Sequence, residues 1–260
     1  MTDKRRALHI GEDQPLADIP TPRVIRISDH RARSRPSRPD PSGGADTAPP
    51  ARLAQSRRGF LRRVVGYLAA DAGIRQFIDL GSRLPAGEGI AQTARAHDPD
   101  ARVVYVDTDT AVSLHGTTPP AGSAAVPTVA VESMRPELIV TRLRARGLID
   151  FGAPVAVLLT DTAPLALGHG GDPHLPHDLV RALHAVLCPG SHVAIAQRVS
   201  PDRSGTAPAP DAHSRELAAA VFEPFTVIEP GLADLAWWPY PDEEVTAEGT
   251  GVLAGVGRRD

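Results

Sequence analysis

Apolar and polar positions follow one another along residues 52–258 in patterns that predict a succession of helices and strands. Between Arg52 and Gly73 the apolar side chains recur at intervals of three and four, which is typical of an amphipathic helix. Gly73 follows the last apolar position and is expected to end that helix. Short apolar runs predict seven strands, near residues 75–80, 102–107, 126–131, 153–160, 191–197, 225–229 and 251–257. Further helices are predicted over residues 86–97, 135–146, 176–187 and 211–222.

Strands that alternate with helices predict an α/β fold, in which a doubly wound, mostly parallel seven-stranded sheet is covered on both faces. The run VAVLLT is apolar throughout, as expected of a central strand buried on both sides. The last two strands are separated by GLADLAWWPYPDEEVTAEGT, which shows no clear helical crossover. We therefore expect these two strands to pair antiparallel, giving six parallel strands and one reversed strand.

Residues 1–50 have a different character and are expected to form a disordered tail in front of one domain over residues 51–260. They contain many prolines and no sustained apolar period, so they cannot bury enough surface to become ordered. Within them, Arg23–Arg38 carries six arginines against the single acid Asp29. This segment is either a docking segment for an acidic partner or nucleic acid, or a solvated tail; the second interpretation is favoured.

Composition narrows the function classes. The net charge of −3 over 260 residues does not indicate a nucleic-acid or membrane partner. The single cysteine, Cys188, excludes an internal disulfide and a cysteine-based zinc site. No apolar run reaches the roughly 18 residues of a membrane span, and no secretion signal is recognisable. The only lysine is Lys4, which removes lysine chemistry from the domain. These features predict a soluble, cytoplasmic protein.

The candidate site lies where the first two predicted strands end. The stretch RQFIDLGSRLP brings Asp79 to the end of the first strand, followed by Gly81, which lets a ligand approach the backbone closely. The stretch ARVVYVDTDT ends the second strand with Asp107, where an acid can bind the two hydroxyls of a ribose. The turn lacks the second glycine of a dinucleotide-binding motif, and no P-loop motif occurs. A ligand without pyrophosphate, such as S-adenosylmethionine, suits this turn, and its positive charges favour nearby carboxylates.

These stretches resemble the actinobacterial family of S-adenosylmethionine-dependent methyltransferases whose substrates are largely unassigned. The resemblance extends over roughly residues 55–258 and is carried by FLRRVVGYLAADAGIRQFIDLGSRLP, ARVVYVDTDT, VAVLL, ALHAVLCPGSHVAIAQ, VIEPGLADLAWWPY and GVLAGVGRR. It implies a class I methyltransferase fold, which is Rossmann-like, and S-adenosyl-L-methionine as the cofactor, bound at the carboxyl ends of the first three strands.

The resemblance also implies seven cofactor-binding residues in three loops. They are Asp79, Gly81 and Ser82 near the methionine, Asp107 and Thr108 near the ribose, and Ser133 and Met134 beside the adenine. It names no catalytic residue in this chain, and no metal ligand is predicted.

The chain departs from the family pattern close to this site. Arg83 replaces the second glycine of a turn that resembles D-[IL]-G-T-G-L-P, and Ser133 replaces an acid. Ala163–Leu165 stands where the family often has a histidine and an aromatic residue, and ISDHRARSRPSRPD replaces a motif rich in tyrosine and glycine. Two functions therefore remain open. One is methyl transfer to a small-molecule acceptor of unknown identity; the other is a catalytically inactive binding or regulatory protein. The oligomeric state is not predicted.

The sequence contains four other candidate groups, and a structural role is favoured for each. His169–Asp178 contains three histidines and two acids, but their spacing fits no zinc motif, and a polar loop before a helix starting near Pro176 is favoured. Ser191 lacks the second glycine of G-x-S-x-G and begins a strand, which argues against a nucleophile. Trp237–Tyr240 could line a substrate pocket or form a hydrophobic plug at the sheet edge; the plug is favoured. Cys188 is expected to be a packed residue.

Overall fold

One β-sheet with helices on both faces organises the chain in the computed structural model, which describes residues 49–80, 89–107, 126–131, 135–160, 175–199, 210–245 and 248–260. The strands are β1 (Gln76–Leu80), β2 (Arg102–Asp107), β3 (Thr128–Ala130), β4 (Ala156–Leu159), β5 (His192–Arg198), β6 (Thr226–Val227), β7 (Ala233–Asp234) and β8 (Val252–Arg258). The helices are α1 (Pro49–Ala70), α2 (Ile90–His97), α3 (Pro136–Ala145), α4 (Leu175–Val186), α5 (Ala212–Ala220) and a 3₁₀ turn (Asp242–Glu244).

The strand order is β3-β2-β1-β4-β5-β8-β6, with β7 also paired to β8. Strands β1 to β5 are parallel, and β8 pairs antiparallel with β5 over seven residues. Because β6 and β7 are in turn antiparallel to β8, they run in the same direction as β1 to β5. The predicted α/β fold, with a mostly parallel sheet and one reversed strand, is therefore confirmed.

The sheet has eight strands instead of the predicted seven because the sixth is interrupted. Strand β6 pairs with residues 257–258 of β8, and β7 pairs with residues 253–254. Between them Gly231, at φ +85°, donates to the carbonyl of Ile228 (2.9 Å) in a turn. Pro230 lies in this turn and has no N–H to pair with a neighbouring strand. The two short strands are two halves of one interrupted strand.

Helix α1 packs on one face of the sheet, which we call the α1 face. Its buried side chains are those that the sequence pattern predicts: Phe60, Leu61, Val64, Val65 and Leu68. The helix ends as predicted before Gly73, whose φ is +67°, and Ile74 donates to the carbonyl of Leu68. The chain then enters β1 directly, so α1 runs antiparallel to β1.

Side chains of successive strand residues point to opposite faces, and the two faces have separate cores. On the α1 face, Phe77, Val103 and Leu158 pack with α1 and α2. On the other face, Ile78, Val104 and Val157 pack with apolar residues of α3 and α4. Phe222 and Phe225, expected to be core residues, are buried on this second face. The sheet is therefore covered on both sides, as predicted.

The predicted tail over residues 1–50, with Arg23–Arg38, lies outside the described residues except for Pro49 and Pro50, where α1 begins. Within the described part of the chain, no helix combines the length and the apolar character needed to cross a bilayer.

Candidate functional site

The two acids of the predicted site lie on neighbouring strands at the same edge of the sheet. Asp79 is the fourth residue of β1 and Asp107 is the last residue of β2. In the parallel register Asp79 is opposite Tyr105, and Leu80 is opposite Val106, so Asp107 lies one position beyond the end of β1. The carboxyl ends of parallel strands meet at one edge, where ligands of open α/β sheets bind. The structure therefore brings Asp79 and Asp107 together at the binding edge.

Both carboxylates point to the α1 face. Asp79 follows Phe77 by two residues and Asp107 follows Tyr105 by two, and both aromatic residues belong to the core on that face. Along the strand direction, two residues correspond to about 6.6 Å, and neighbouring strands are about 4.8 Å apart. The two acids are thus diagonal neighbours in one crevice. The sequence of either strand alone does not predict this arrangement of the two acids, because it depends on the register of β1 with β2.

Burial makes these carboxylates chemically distinctive. Asp79 is 1% exposed and Asp107 is 5% exposed. A carboxylate removed from water to this extent requires hydrogen-bond donors or positive charge around it. A ribose offers two hydroxyl donors and an amino-acid ammonium offers three, so the two acids fit the cofactor that the sequence predicts.

Tyr105 lies opposite Asp79 and two residues before Asp107, and it was not singled out in the sequence. Burial raises the pKa of its phenol, and the nearby negative charge of Asp79 raises it further, while Arg95 acts in the opposite direction. The phenol is therefore neutral throughout the physiological range and is available as a hydrogen-bond donor or acceptor. A lone polar aromatic in the apolar run RVVYV is the signal that could have found it.

Thr160 is a second residue that sequence reasoning missed. It follows β4 directly and is 1% exposed. Because Asp79 is opposite Leu158, Thr160 lies two residues beyond the level of Asp79, and the alternation of the strand places it on the same face as Leu158. Its Oγ1 atom is buried and has no hydrogen-bond partner among the residues that the structure describes. The signal in the sequence is a hydroxyl residue closing the otherwise apolar strand VAVLLT.

The remaining predicted site residues lie outside the described part of the chain. They are Gly81, Ser82, Thr108, Ser133 and Met134. The departures from the family pattern at Arg83 and Ala163–Leu165 also lie there. Of the seven predicted cofactor contacts, the structure thus describes Asp79 and Asp107.

Helix α1 contacts the beginning of α2. The side chain of Arg62 lies against Gly89, its Cγ 3.8 Å from where a Cβ would stand, and α2 begins at the next residue. The two helices therefore lie side by side on the α1 face, where both contribute to the same core.

The loop that follows β7 is attached to α1. Arg63 donates through Nη2 to the carbonyls of Leu235 (2.9 Å) and Ala236 (3.0 Å), and through Nε to the carbonyl of Trp238. Burial is the main cause that lowers the pKa of Arg63 to about 10, so the guanidinium stays protonated at neutral pH. Phe60 meets Trp238 edge to face, with ring centroids 5.5 Å apart. Trp237 and Trp238 are both buried in the core of the α1 face, as expected of a hydrophobic plug.

A polar network fixes the same loop from the other side. Asp234 accepts from the main-chain N–H of Thr250 (2.6 Å) and of Ala236 (2.9 Å). Asp242 accepts from the N–H of Asp234 (2.8 Å) and from Trp237 Nε1 (2.8 Å), and it pairs with Arg215. Burial raises the pKa of Asp234 in spite of these bonds. The donors satisfy both carboxylates, so we assign this network a role in loop structure.

The other candidate groups have structural explanations. Ser191 Oγ accepts from the N–H of Val155 (3.2 Å) at the opposite edge of the sheet, so it lies away from Asp79 and Asp107. Cys188 is half-buried, with its Sγ 3.8 Å from Ser191 Oγ. Of the histidine-rich stretch, only residues 175–178 are described; they open α4, with Asp178 in its first turn as expected. The described residues contain no group of three or more metal-ligating side chains.

Fold and site together define a Rossmann-like methyltransferase. The strand order places one reversed strand inside an otherwise parallel sheet, and two buried acids lie at the carboxyl ends of β1 and β2. A family model described as S-adenosyl methyltransferase matches residues 44–260. The chain belongs to this family, which confirms the resemblance seen in the sequence, and its cofactor is S-adenosylmethionine.

Two solved structures share the fold over most of their length. A protein from Thermobifida fusca YX, described as a candidate methyltransferase, is 29% identical, with a TM-score of 0.63 over 80% of this chain and 82% of that one. A DUF574 family protein from Streptomyces avermitilis MA-4680 is 24% identical, with a TM-score of 0.63 over 79% of this chain and 83% of that one. The second likeness shows the fold alone. No curated protein matches the chain.

Proposed function

We propose that the protein transfers a methyl group from S-adenosylmethionine to a small-molecule acceptor, with Asp79 and Asp107 holding the cofactor. The observation that supports this proposal most strongly is the pair of buried carboxylates on one face of two adjacent parallel strands, at the edge where such sheets bind ligands. Within the proposal, the remaining cofactor contacts are those expected from the sequence. They are Gly81 and Ser82 near the methionine, Thr108 near the ribose, and Ser133 and Met134 beside the adenine.

Each acid has a separate task in this proposal. Asp107, at the end of β2, would accept hydrogen bonds from the two ribose hydroxyls, which orients the nucleoside along the strand ends. Asp79, at the end of β1, would lie close to the positive charges of the methionine portion, where a carboxylate is favourable. Tyr105 lies beside Asp79, and its neutral phenol adds no charge to the crevice.

Methyl transfer requires little of the protein beyond the orientation of the two reactants. Bound S-adenosylmethionine supplies a methyl group on a positively charged sulfur, which already activates it for transfer. The contribution of the chain is then to hold the acceptor in line with that methyl group, which lowers the barrier by removing orientational freedom. The proposal assigns no general base.

A small acceptor is favoured over a nucleic acid by charge. The chain carries a net charge of −3, whereas proteins that bind nucleic acid neutralise several phosphates with a basic surface. Cytoplasmic location and an actinobacterial source stay predictions. A single cysteine, and therefore no internal disulfide, is compatible with a reducing compartment.

The proposal is tested in two stages. Calorimetry with S-adenosylhomocysteine and S-adenosylmethionine on the full chain should give saturable binding. The full chain should then be incubated with a cell extract and with S-adenosylmethionine labelled on the methyl group, and the products should be separated by size. We expect the label in the low-molecular-weight fraction. Label found only in the protein or nucleic-acid fraction would contradict the small-molecule acceptor.

The inactive alternative makes a different prediction in the first stage. If Arg83 has removed cofactor binding, the wild-type chain will bind neither compound, and Arg83→Gly will restore binding. Saturable binding by the wild-type chain excludes that form of the alternative.

A further inference from the structure

Strand β5 ends with a charged side chain at the binding edge. Its last residue, Arg198, follows a run of buried side chains and is itself half-buried, so part of it is accessible from solvent. Arg198 is opposite Val252 of β8, whose side chain belongs to the core on the α1 face. Residues that lie opposite each other in a sheet share a face. Arg198 is therefore on the same face of the sheet as Asp79 and Asp107.

The strand register places Arg198 beyond the two acids. Asp79 is opposite Leu158 of β4, and Leu158 is opposite Ala194 of β5. Arg198 is thus four residues past the level of Asp79. Four residues extend about 13 Å along a strand, and the two strand spacings between β1 and β5 add about 10 Å across the sheet. A molecule bound beside the cofactor on the β5 side would lie near Arg198.

The backbone around Arg198 is held on both sides. Its pairing with Val252 continues at the next residue, where the N–H of Val199 donates to the carbonyl of Gly251 (3.0 Å). The N–H of Leu235 in turn donates to the carbonyl of Val252 (2.8 Å), so the loop after β7 begins at the level of Arg198. A side chain on a rigid, paired strand is suited to a binding role, because its position is set before a ligand arrives.

The charge of the crevice explains why an arginine is useful at this position. Asp79 and Asp107 are buried carboxylates, which suit a positively charged cofactor but repel an anion. An acceptor with a negative group therefore needs a positive side chain on its own side of the crevice, whereas a neutral or positive acceptor gains nothing from one. Arg63, which contacts the loop after β7, is occupied by the main-chain carbonyls to which it donates.

We propose that Arg198 binds a negatively charged group of the acceptor, and that the acceptor is an anionic small molecule. A guanidinium binds a carboxylate or a phosphate through two parallel hydrogen bonds, which fix orientation as well as position. This group serves binding only and is separate from the atom that is methylated. That atom forms the new bond to the methyl carbon and loses any proton to water, while the sulfur keeps the electron pair of the bond that breaks. This inference rests on the proposed function and adds the substrate class to it.

The experiment separates the candidate acceptors by charge before the reaction. Small molecules from a cell extract are divided on an anion exchanger into a retained and an unretained fraction. Each fraction is then incubated with the full chain and with S-adenosylmethionine labelled on the methyl group. We expect transfer of label to the retained fraction only. Washing the exchanger with an acid that protonates carboxylates but not phosphates would show which of the two groups the acceptor carries.

Variants of Arg198 test the assigned contact. Arg198→Gln should slow labelling of the retained fraction by roughly tenfold, since a hydrogen bond to a charged group contributes about that factor. Calorimetry should show that this variant keeps the wild-type affinity for S-adenosylhomocysteine, which reports that the fold and the cofactor site are intact. Arg198→Lys keeps the charge but not the two parallel bonds, so its rate should lie between the two. Arg181→Gln, which removes an exposed arginine from α4, is the matched control and should label like the wild type.

Each result decides between the two proposals. A wild-type chain that binds no S-adenosylhomocysteine, or that labels neither fraction, overturns the proposed function and this inference with it. Label in the unretained fraction overturns the inference and leaves the proposed function standing. The same holds if Arg198→Gln labels the retained fraction at the wild-type rate. It also holds if this variant loses affinity for S-adenosylhomocysteine in parallel with labelling, because Arg198 would then act on the fold or on the cofactor.

Discussion

Arg63 donates through Nε to the main-chain carbonyl of Trp238, a residue 175 positions further along the chain. The same guanidinium donates to two more carbonyls, those of Leu235 and Ala236. Carbonyl groups stabilise the cation by their dipoles without carrying a charge of their own. One side chain therefore joins α1 to the loop after β7, so the two segments should lose their structure together.

Replacing Arg63 with methionine should destabilise the fold by about 2–4 kcal/mol. The change removes donors from three carbonyls, and hydrogen bonds to charged groups contribute about 1.5–3 kcal/mol each, offset in part by relief from burying a charge. Urea unfolding followed by tryptophan fluorescence would measure it. Arg62→Met is the control, because Arg62 is exposed and should change stability by less than about 0.5 kcal/mol. Equal effects of the two substitutions would contradict the assigned role.

Replacing Asp107 with alanine should weaken binding of S-adenosylhomocysteine by roughly 10- to 100-fold, the range expected when a carboxylate loses its hydrogen bonds to a ligand. Calorimetry would measure the change. Asp100→Ala removes the same charge from an exposed position after α2 and should leave the affinity unchanged. If both substitutions weaken binding alike, the effect is one of net charge, and the proposed ribose contact is wrong.

His192 should make stability depend on pH below neutrality. Burial, with a further contribution from the positive charge of Arg258, lowers the pKa of His192 to about 4. In the unfolded chain the pKa of histidine is about 6.5. Between about pH 4 and 6.5 the unfolded state therefore binds a proton at His192 that the folded state does not bind. The stability is complete above about pH 6.5 and falls as the pH drops toward 4, by about 3 kcal/mol in total.

Urea unfolding at a series of pH values would show this effect as a difference between variants. His192→Gln should lose the part of the slope that lies between about pH 4 and 6.5, whatever its stability at neutral pH. His213→Gln removes an exposed histidine and should keep the wild-type slope. Parallel curves for wild type and His192→Gln would show that the imidazole is not buried as described.

Gly257 should tolerate no side chain. A Cβ at this position of β8 would lie 2.9 Å from Phe225 Cβ, 3.1 Å from Phe222 Cδ1 and 3.3 Å from Val193 Cγ1. These contacts come from two segments of a packed core, the turn of Phe222 and Phe225 and the strand β5, so the neighbouring side chains have little room to move. We expect Gly257→Ala to lower the free energy of unfolding by about 1–3 kcal/mol, as overpacking does in other cores. A change within experimental error would show that the aromatic residues repack easily.

The sequence was informative wherever a pattern is local. Helical spacing at Phe60, Leu61 and Val64 located α1, and Gly73 ended it where expected. The interruption between β6 and β7 was not predicted, because it is recognised only from the pairing of each short strand with β8. Pro230 and Gly231 are the local signals of a turn at this position. Local patterns therefore gave the elements and their order, but not every pairing.

The candidate site was also predictable only in part from local patterns. Asp79 and Asp107 were found because each ends an apolar strand, but their common face follows only from the register of β1 with β2. Thr160 was not predicted because its signal in the sequence, a hydroxyl residue that closes the apolar strand VAVLLT, is weak. What marks it is an environment without a partner, and that environment is created by residues distant in the chain.

The position of β8 has a consequence for how the protein is made. This strand is formed by residues 252–258, after all the others, yet it lies inside the sheet between β5 and β6. While these residues are still inside the ribosome, strand β5 of the nascent chain has an unpaired edge. Such edges are prone to aggregate. Completion of the sheet must therefore await the end of translation of this region, and truncation before Val252 should yield a chain that depends on chaperones.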